Sequence, residues 1–266
     1  MEIQELRKRP HLSASSINSY LECGLQYKFS RIDKFKPDFT ADVLVYGSTI
    51  HKAIEYVQIN RMAGDLTSVQ DAAEFFEKRW REAAEGNADI GYRKGESFTS
   101  LLNQGKKLIG VYIENLPDMG YEVLALEEPF ELKLDGIDIP IIGIMDMVEE
   151  DESGTIIITD HKTAARAYSS EEVDKNFQLT VYHMAARKNG YAGRDIVMKF
   201  DCLIKTKIPR FDQVYTVRSE ESEHRAVKKI KSVWEGISKG LFIPNDNSWR
   251  CSTCSYTSHC EQWHAN

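Results

Sequence analysis

A chain of 266 residues with 42% hydrophobic content can bury a sizeable core and is too apolar to be a disordered polymer. Its formal net charge of −7 argues against indiscriminate binding of polyanions, although a basic groove or bound cations can reverse the field at one site. The charged start MEIQELRKRP lacks an apolar signal region, and no apolar run reaches the roughly 18 residues of a membrane span, so a soluble, cytoplasmic protein is expected. Basic clusters at Arg7 to Arg9, Lys205 to Arg210 and Lys228 to Lys231 read, taken alone, as solvated surface.

The stretch "LSASSINSYLECGLQYKF" predicts a short helix with Ser13 as N-cap. "VYGSTIHKAIEYVQINRMAG" places Ile50, Ala53, Ile54 and Val57 at helical spacing. Residues 68–86 repeat the pattern through Val69, Ala72, Ala73, Phe76 and Trp80, and another amphipathic run spans about 98–117, stopping near Pro117 and Gly120. The first 120 residues are thus expected to be mainly helical.

The period then changes. "YEVLALEEPFELKL" and "IDIPIIGIMDMVEE" are strand-like and are joined through Asp135-Gly136, a dipeptide favoured in tight hairpin turns. "DESG" turns the chain into "GTIIITDHKT", giving three successive antiparallel strands. Ser169 with Glu172 forms a capping-box signature for one helix running to about Asn189. In "DIVMKFDCLIK" the even positions Ile196, Met198, Phe200, Cys202 and Ile204 share one apolar face, so Cys202 reads as a core thiol. A strand near 212–217 and a helix from about 220 to 239, ended by Gly240, follow. With no repeat or long linker, the expectation is one α/β domain over 1–266: a helical section (1–120), a sheet-and-helix core (121–240) and a cysteine tail (241–266).

Asp160 and Lys162, two apart on a strand, project to the same face while His161 points away. The preceding strand carries Asp146, which antiparallel pairing can bring close to Asp160. Converging carboxylates repel unless a cation or proton sits between them, and a hard divalent ion with oxygen ligands is the natural partner. Such an ion lowers the pKa of bound water and stabilises charge on a phosphoryl oxygen, and a nearby ammonium can assist. Spacing alone leaves a surface Asp–Lys pair the commoner explanation. Near the C-terminus, Cys251, Cys254 and Cys260 form C-x2-C-x5-C, which zinc or a [4Fe–4S] cluster would bind if a fourth ligand arrived; His259 and His264 keep zinc open, and free thiols are the remaining alternative.

Five segments in order resemble the PD-(D/E)XK nucleases, in the RecB-like exonuclease branch that includes CRISPR-associated and AddB-type domains: "LSASSINSYLECGLQYKF", "YGSTIHKAIE", "GIMDMVEEDESGTIIITDHKT", "QLTVY" and "GLFIPNDNSWRCSTCSYTSHC". The resemblance implies a restriction-endonuclease-like fold, a mixed central β-sheet flanked by helices, with the tail packing back on the N-terminal helix. It implies Mg2+ or Mn2+ at Asp146, Asp160, the backbone carbonyl of His161 and His51, with Lys162 acting on the attacking water and transition state. Gln178 and Tyr182, one helical turn apart, would position the scissile strand or the lysine. Cys23 would join Cys251, Cys254 and Cys260 around a [4Fe–4S] cluster, with Zn2+ as the alternative, acting as a staple for the tail. The implied activity is a metal-dependent deoxyribonuclease, an exonuclease on single strands or DNA ends; the alternative is a catalytically inactive nucleic-acid-binding or assembly module. Implied partners are DNA and helicase, recombination or CRISPR-type proteins. Met145 stands where a signature proline is common, Asp160 replaces Glu, and Gly24 follows Cys23 where proline is frequent; none removes a ligand. The side chains of His11, His161, His183 and His224 receive no role.

Overall fold

The computed structural model describes residues 2–116 and 121–265. In chain order the elements are α1 (Ile3–Arg7), α2 (Ala14–Glu22), α3 (Gly24–Tyr27), a π-turn over Lys28–Ile32, β1 (Thr40–Ala41), α4 (Asp42–Met62), α5 (Val69–Ala84), β2 (Ile90–Gly91) and α6 (Phe98–Glu114). They continue as β3 (Glu122–Leu132), β4 (Ile141–Glu150), β5 (Ile156–Ala164), α7 (Ser170–Asp174), α8 (Phe177–Lys188), β6 (Ile196–Ile204), β7 (Arg210–Thr216), α9 (Glu220–Ser238), a 3-10 turn over Trp249–Thr253 and α10 (Thr257–Ala265).

The helical first section forms for the reasons its sequence suggests. Ser13, Ser68 and Ser97 cap α2, α5 and α6 by accepting from the N–H three residues on. On α5, Ala72, Phe76, Trp80 and Ala84 recur every fourth residue and are all buried, in one cluster with Ile50, Ile54 and Val57 of α4 and Leu101 and Leu108 of α6. Gly105 on α6 permits this packing, because a Cβ there would lie 2.0 Å from the Phe76 ring. Truncating Phe76 or Trp80 in such a setting costs about 3–5 kcal/mol. The stop expected near Pro117 and Gly120 lies outside the described residues, and α6 ends at Glu114.

The second section is a five-stranded sheet of order β3-β4-β5-β6-β7. β3, β4 and β5 are antiparallel neighbours, as are β6 and β7, whereas β5 and β6 run parallel. A parallel pair needs a crossover, supplied here by α7 and α8. One sheet face buries Met198, Phe200, Cys202 and Ile204 with residues of α2, α8 and α9. On β6 the neighbouring Leu203 belongs to the other cluster, with α4, α5 and α6, so helices cover both faces. The architecture is the mixed, helix-flanked sheet expected from the sequence.

Three local expectations change. The segment 169–189 forms two helices: the Ser169–Glu172 capping box starts α7, which stops at Asp174, and Asn176 caps α8 anew by accepting from Leu179 N–H at 3.0 Å. The turn at Asp135-Gly136 is not a two-residue hairpin; β3 ends at Leu132 and β4 starts at Ile141, with Gly136 at φ +82° and Leu134 tucked into the core. The first predicted helix breaks at Cys23, whose extended backbone (φ −162°, ψ 107°) ends α2 while its sulfur accepts from Gln26 N–H and opens α3.

Candidate active site

β4 and β5 pair up to Met147 opposite Thr159, so the next rung sets Asp146 against Asp160. On the other side of β4, Leu126 opposes Met147 and Glu128 opposes Met145, which sets Glu127 against Asp146. Glu127, Asp146 and Asp160 therefore lie in one line across three strands. That line is where regular pairing fails. Glu127 has a left-handed backbone (φ +48°), a conformation that costs a non-glycine residue on the order of 1–3 kcal/mol. His161 N–H donates at 2.8 Å to Asp146 Oδ2, a side-chain acceptor.

Lys162, half-buried, forms an ion pair with the buried Asp160 and donates to Gln178 Oε1 at 3.0 Å. Gln178 Nε2 donates to Asp160 Oδ1 at 2.9 Å and to Tyr182 Oη at 2.6 Å. One amide from α8 thus holds both members of the β5 pair, and Phe200 lies 5.3 Å beneath the ammonium. His51 reaches in from α4, its Nδ1 3.5 Å from Asp146 Oδ2. The His161 ring turns to the opposite face from Lys162 and is buried between Asp146 (3.7 Å) and Asp201 (3.9 Å).

The electrostatics follow from this crowding. Burial, followed by repulsion from Asp146, lifts the Asp160 carboxyl above its ordinary value although Lys162 opposes the rise. Burial acts on Asp146 in the same direction, but the His161 and His51 rings and the His161 N–H together hold it below the usual carboxylate range. Burial and Asp146 push Glu127 up to about 7. Lys162 is desolvated, yet Asp160 overcomes that and holds its ammonium above the ordinary lysine value. Tyr182 is raised far above a normal phenol, mainly by burial, and stays protonated.

The donor set suits a divalent cation. Ligand atoms of His51, Glu127 and Asp146 lie within 4.8 Å of one another; the two carboxylates are hard oxygen donors of the kind Mn2+ or Mg2+ takes, and the imidazole shifts the set away from an all-oxygen Mg2+ site. Asp160 lies outside that trio because its oxygens face Lys162 and Gln178. Glu127 is the residue the sequence pattern did not single out. In "LEEPF" it looks like an ordinary polar strand position, and only its rung opposite Asp146 betrays it.

Cys23, Cys251, Cys254 and Cys260 line one cavity of about 240 Å3, and none is in a disulfide. Burial and the neighbouring thiols raise both Cys254 and Cys260. The tail is also held by Asp38 N–H to Ser255 C=O at 2.7 Å, by Arg250 on Glu22 at 2.7 Å, and by the His259 and Phe35 rings at 4.8 Å. Gly24 abuts the tail backbone, where a Cβ would lie 2.8 Å from Ile243 N. Cys202 is buried on β6 and its thiol is pushed up to about 12, as suits a core residue.

No helix among the described residues is long and apolar enough to cross a membrane. The chain is 26% identical to the "Gene 69 protein" of Mycobacterium phage D29, across 95% of this chain and 97% of that one. Its fold resembles the crystal structure of a candidate exonuclease from Eubacterium rectale, with a TM-score of 0.56, 14% identity, and coverage of 88% and 83% of the two chains. The family profile of the PD-(D/E)XK nuclease superfamily matches residues 11–261, nearly the full length, and this protein belongs to that superfamily.

Proposed function

We propose that the protein is a divalent-metal-dependent deoxyribonuclease that hydrolyses phosphodiester bonds as an exonuclease on single strands or DNA ends. The observation that carries this reading is the Gln178 clamp, which holds Lys162 and Asp160 together beside the His51–Glu127–Asp146 trio. His51, Glu127 and Asp146 are the proposed side-chain ligands as arranged here, and Asp160, once one oxygen turns from Lys162 or Gln178 to the cation, joins them with the His161 carbonyl. A cation held there lowers the pKa of bound water and stabilises charge on the phosphoryl oxygen. Lys162, kept charged by Asp160, orients the attacking water and donates to the developing oxyanion. Gln178 fixes the ammonium in place, and the Tyr182 hydroxyl fixes Gln178.

A labelled single-stranded oligonucleotide with Mn2+ or Mg2+ tests the assignment. Asp160→Ala and Lys162→Ala abolish cleavage while retaining DNA binding; cleavage equal to the parent in either variant overturns it. For the tail, the proposal is a [4Fe–4S] cluster on Cys23, Cys251, Cys254 and Cys260, stapling residues 241–265 to α2 and α3. Anaerobically purified protein is then brown, and a colourless, zinc-loaded preparation overturns the cluster.

A further inference from the structure

One cleft of about 590 Å3 is lined both by Glu127 and Asp146 of the metal trio, with Gln178 and Tyr182 of the clamp, and by Arg7, His11, Ser15 and Arg31 of the N-terminal segment and the π-turn. The acidic and basic residues share this one lining, and the basic ones take no part in the trio's ligand set or the clamp's hydrogen bonds. The cleft's basic residues are not all spent on neighbouring acids. In the cluster Arg7 to Arg9, Lys8 pairs with Glu5 and Arg9 with Glu131, each at 2.5 Å, while Arg7 lines the cleft. Among the described residues, neither Arg7 nor Arg31 has a carboxylate within ion-pair distance. Arg31 projects from the π-turn that follows α3.

The backbone carrying these groups is pinned. Leu6 and Leu12 are buried, Leu12 N–H donates to Pro140 C=O at 2.9 Å, and Ile142 N–H donates to Leu12 C=O at 2.8 Å. This stitches the N-terminal segment to the start of β4, the strand that carries Asp146. His11 Nδ1–H donates to the Arg9 carbonyl at 2.7 Å, so Nε2 can donate to a phosphate in the imidazolium form, in which both ring nitrogens carry hydrogen. Ser15 lies in the first turn of α2, where N–H groups lack intrahelical acceptors. Two guanidinium forks free of carboxylates, with hydroxyl and N–H donors beside them, match a phosphate rather than an apolar ligand. The cleft volume falls in the range of roughly 300–1,000 Å3 typical of small-molecule pockets, a scale that suits a nucleotide-sized group.

We propose that Arg7 and Arg31, assisted by Ser15 and His11, form a subsite for a non-scissile phosphate of a single DNA strand, setting the neighbouring linkage over Asp146 and Asp160. The inference rests on the nuclease reading and extends it to how the substrate is held.

The test is fluorescence anisotropy with a labelled single-stranded oligonucleotide in chelator, where no cleavage occurs, over a series of salt concentrations. Arg7→Gln and Arg31→Gln are each expected to weaken binding about tenfold and to reduce the salt slope by about 0.7, the value for one phosphate contact on a single strand. Arg31→Lys restores the slope, and Lys228→Gln, on exposed α9, changes neither quantity. A loss seen with both 5′-phosphorylated and 5′-hydroxyl oligonucleotides identifies an internal phosphodiester; a loss confined to the former identifies a terminal phosphate. Unchanged affinity and slope in both arginine variants overturn the subsite. Parental cleavage with Mn2+, assayed separately, judges the nuclease reading: a parent that cuts while the variants bind normally retains the nuclease and loses the subsite.

Discussion

Glu127 and Asp146 face each other across β3 and β4 yet titrate in opposite directions, the first pushed up to about 7 and the second held below the usual carboxylate range. The difference lies in their neighbours. Burial acts on both, but Asp146 has two imidazoles and a backbone N–H to offset it, whereas Glu127 faces the added charges of Asp146, Glu55 and Asp160.

This fixes the sign of a pH effect. An unfolded Glu ionises near 4.5, but folded Glu127 keeps its proton to about 7. Its favourable contribution is complete below 4.5, shrinks as pH rises through the window, and is gone above 7. Because Glu127 is partly exposed, the loss is about 1–2 kcal/mol after allowance for screening. Urea denaturation of metal-free protein at several pH values should show this slope, and Glu127→Gln should flatten it. Added Mn2+ should raise the Tm more at pH 8 than at pH 5, because binding displaces that proton.

Gln178→Ala releases Lys162 and Asp160 from α8 without emptying a core position. Hydrogen bonds to charged groups are worth about 1.5–3 kcal/mol, so kcat should fall roughly 10- to 100-fold, and the Tm should drop as well because buried Asp160 loses a partner. Tyr182→Phe removes only the hydroxyl that steadies Gln178 and should cost less. Single-turnover cleavage rates separate these effects from DNA affinity. Equal rates for Gln178→Ala and the parent would show that the clamp does not position Lys162.

Behind His161, Lys199 lies buried with Glu149 at 3.1 Å and Asp201 at 3.5 Å, and Gln213 donates to Asp201 at 3.0 Å. Lys199→Met leaves two buried carboxylates without that cation and should destabilise the fold by about 3–5 kcal/mol. Adding Glu149→Gln should recover part of the loss. Denaturation midpoints of the single and double variants measure both.

Gly24→Val places a branched side chain against the backbone of Ile243. The tail should undock from α3, detected as faster proteolysis C-terminal to Gly240 while the sheet core survives. An unchanged digestion pattern would show that the tail accommodates the added bulk.

Periodicity is enough to place the helices of the first section and the alternating strands of the second, because burial of one stripe or one face repeats locally along the chain. Capping residues locate most helix starts, including Ser13 and Ser169. The break between α7 and α8 is less legible because the apolar pattern runs through Asn176, and only the new cap ends the first helix.

The ordered motifs and the two-residue spacing of Asp160 and Lys162 put those two on one face of one strand by local pattern alone. The same motifs name His51, Asp146, Gln178 and Tyr182, which the fold gathers around that pair. What only the tertiary structure decided was register and approach. The rung opposite Asp146 brought in Glu127, the side-chain amide of Gln178 tied Asp160 to Lys162, and the β4 bridge at Leu12 turned part of an apparent surface cluster toward the cleft. These relationships join residues distant in sequence, and their energies depend on desolvation and charge at a meeting point that no local pattern encodes.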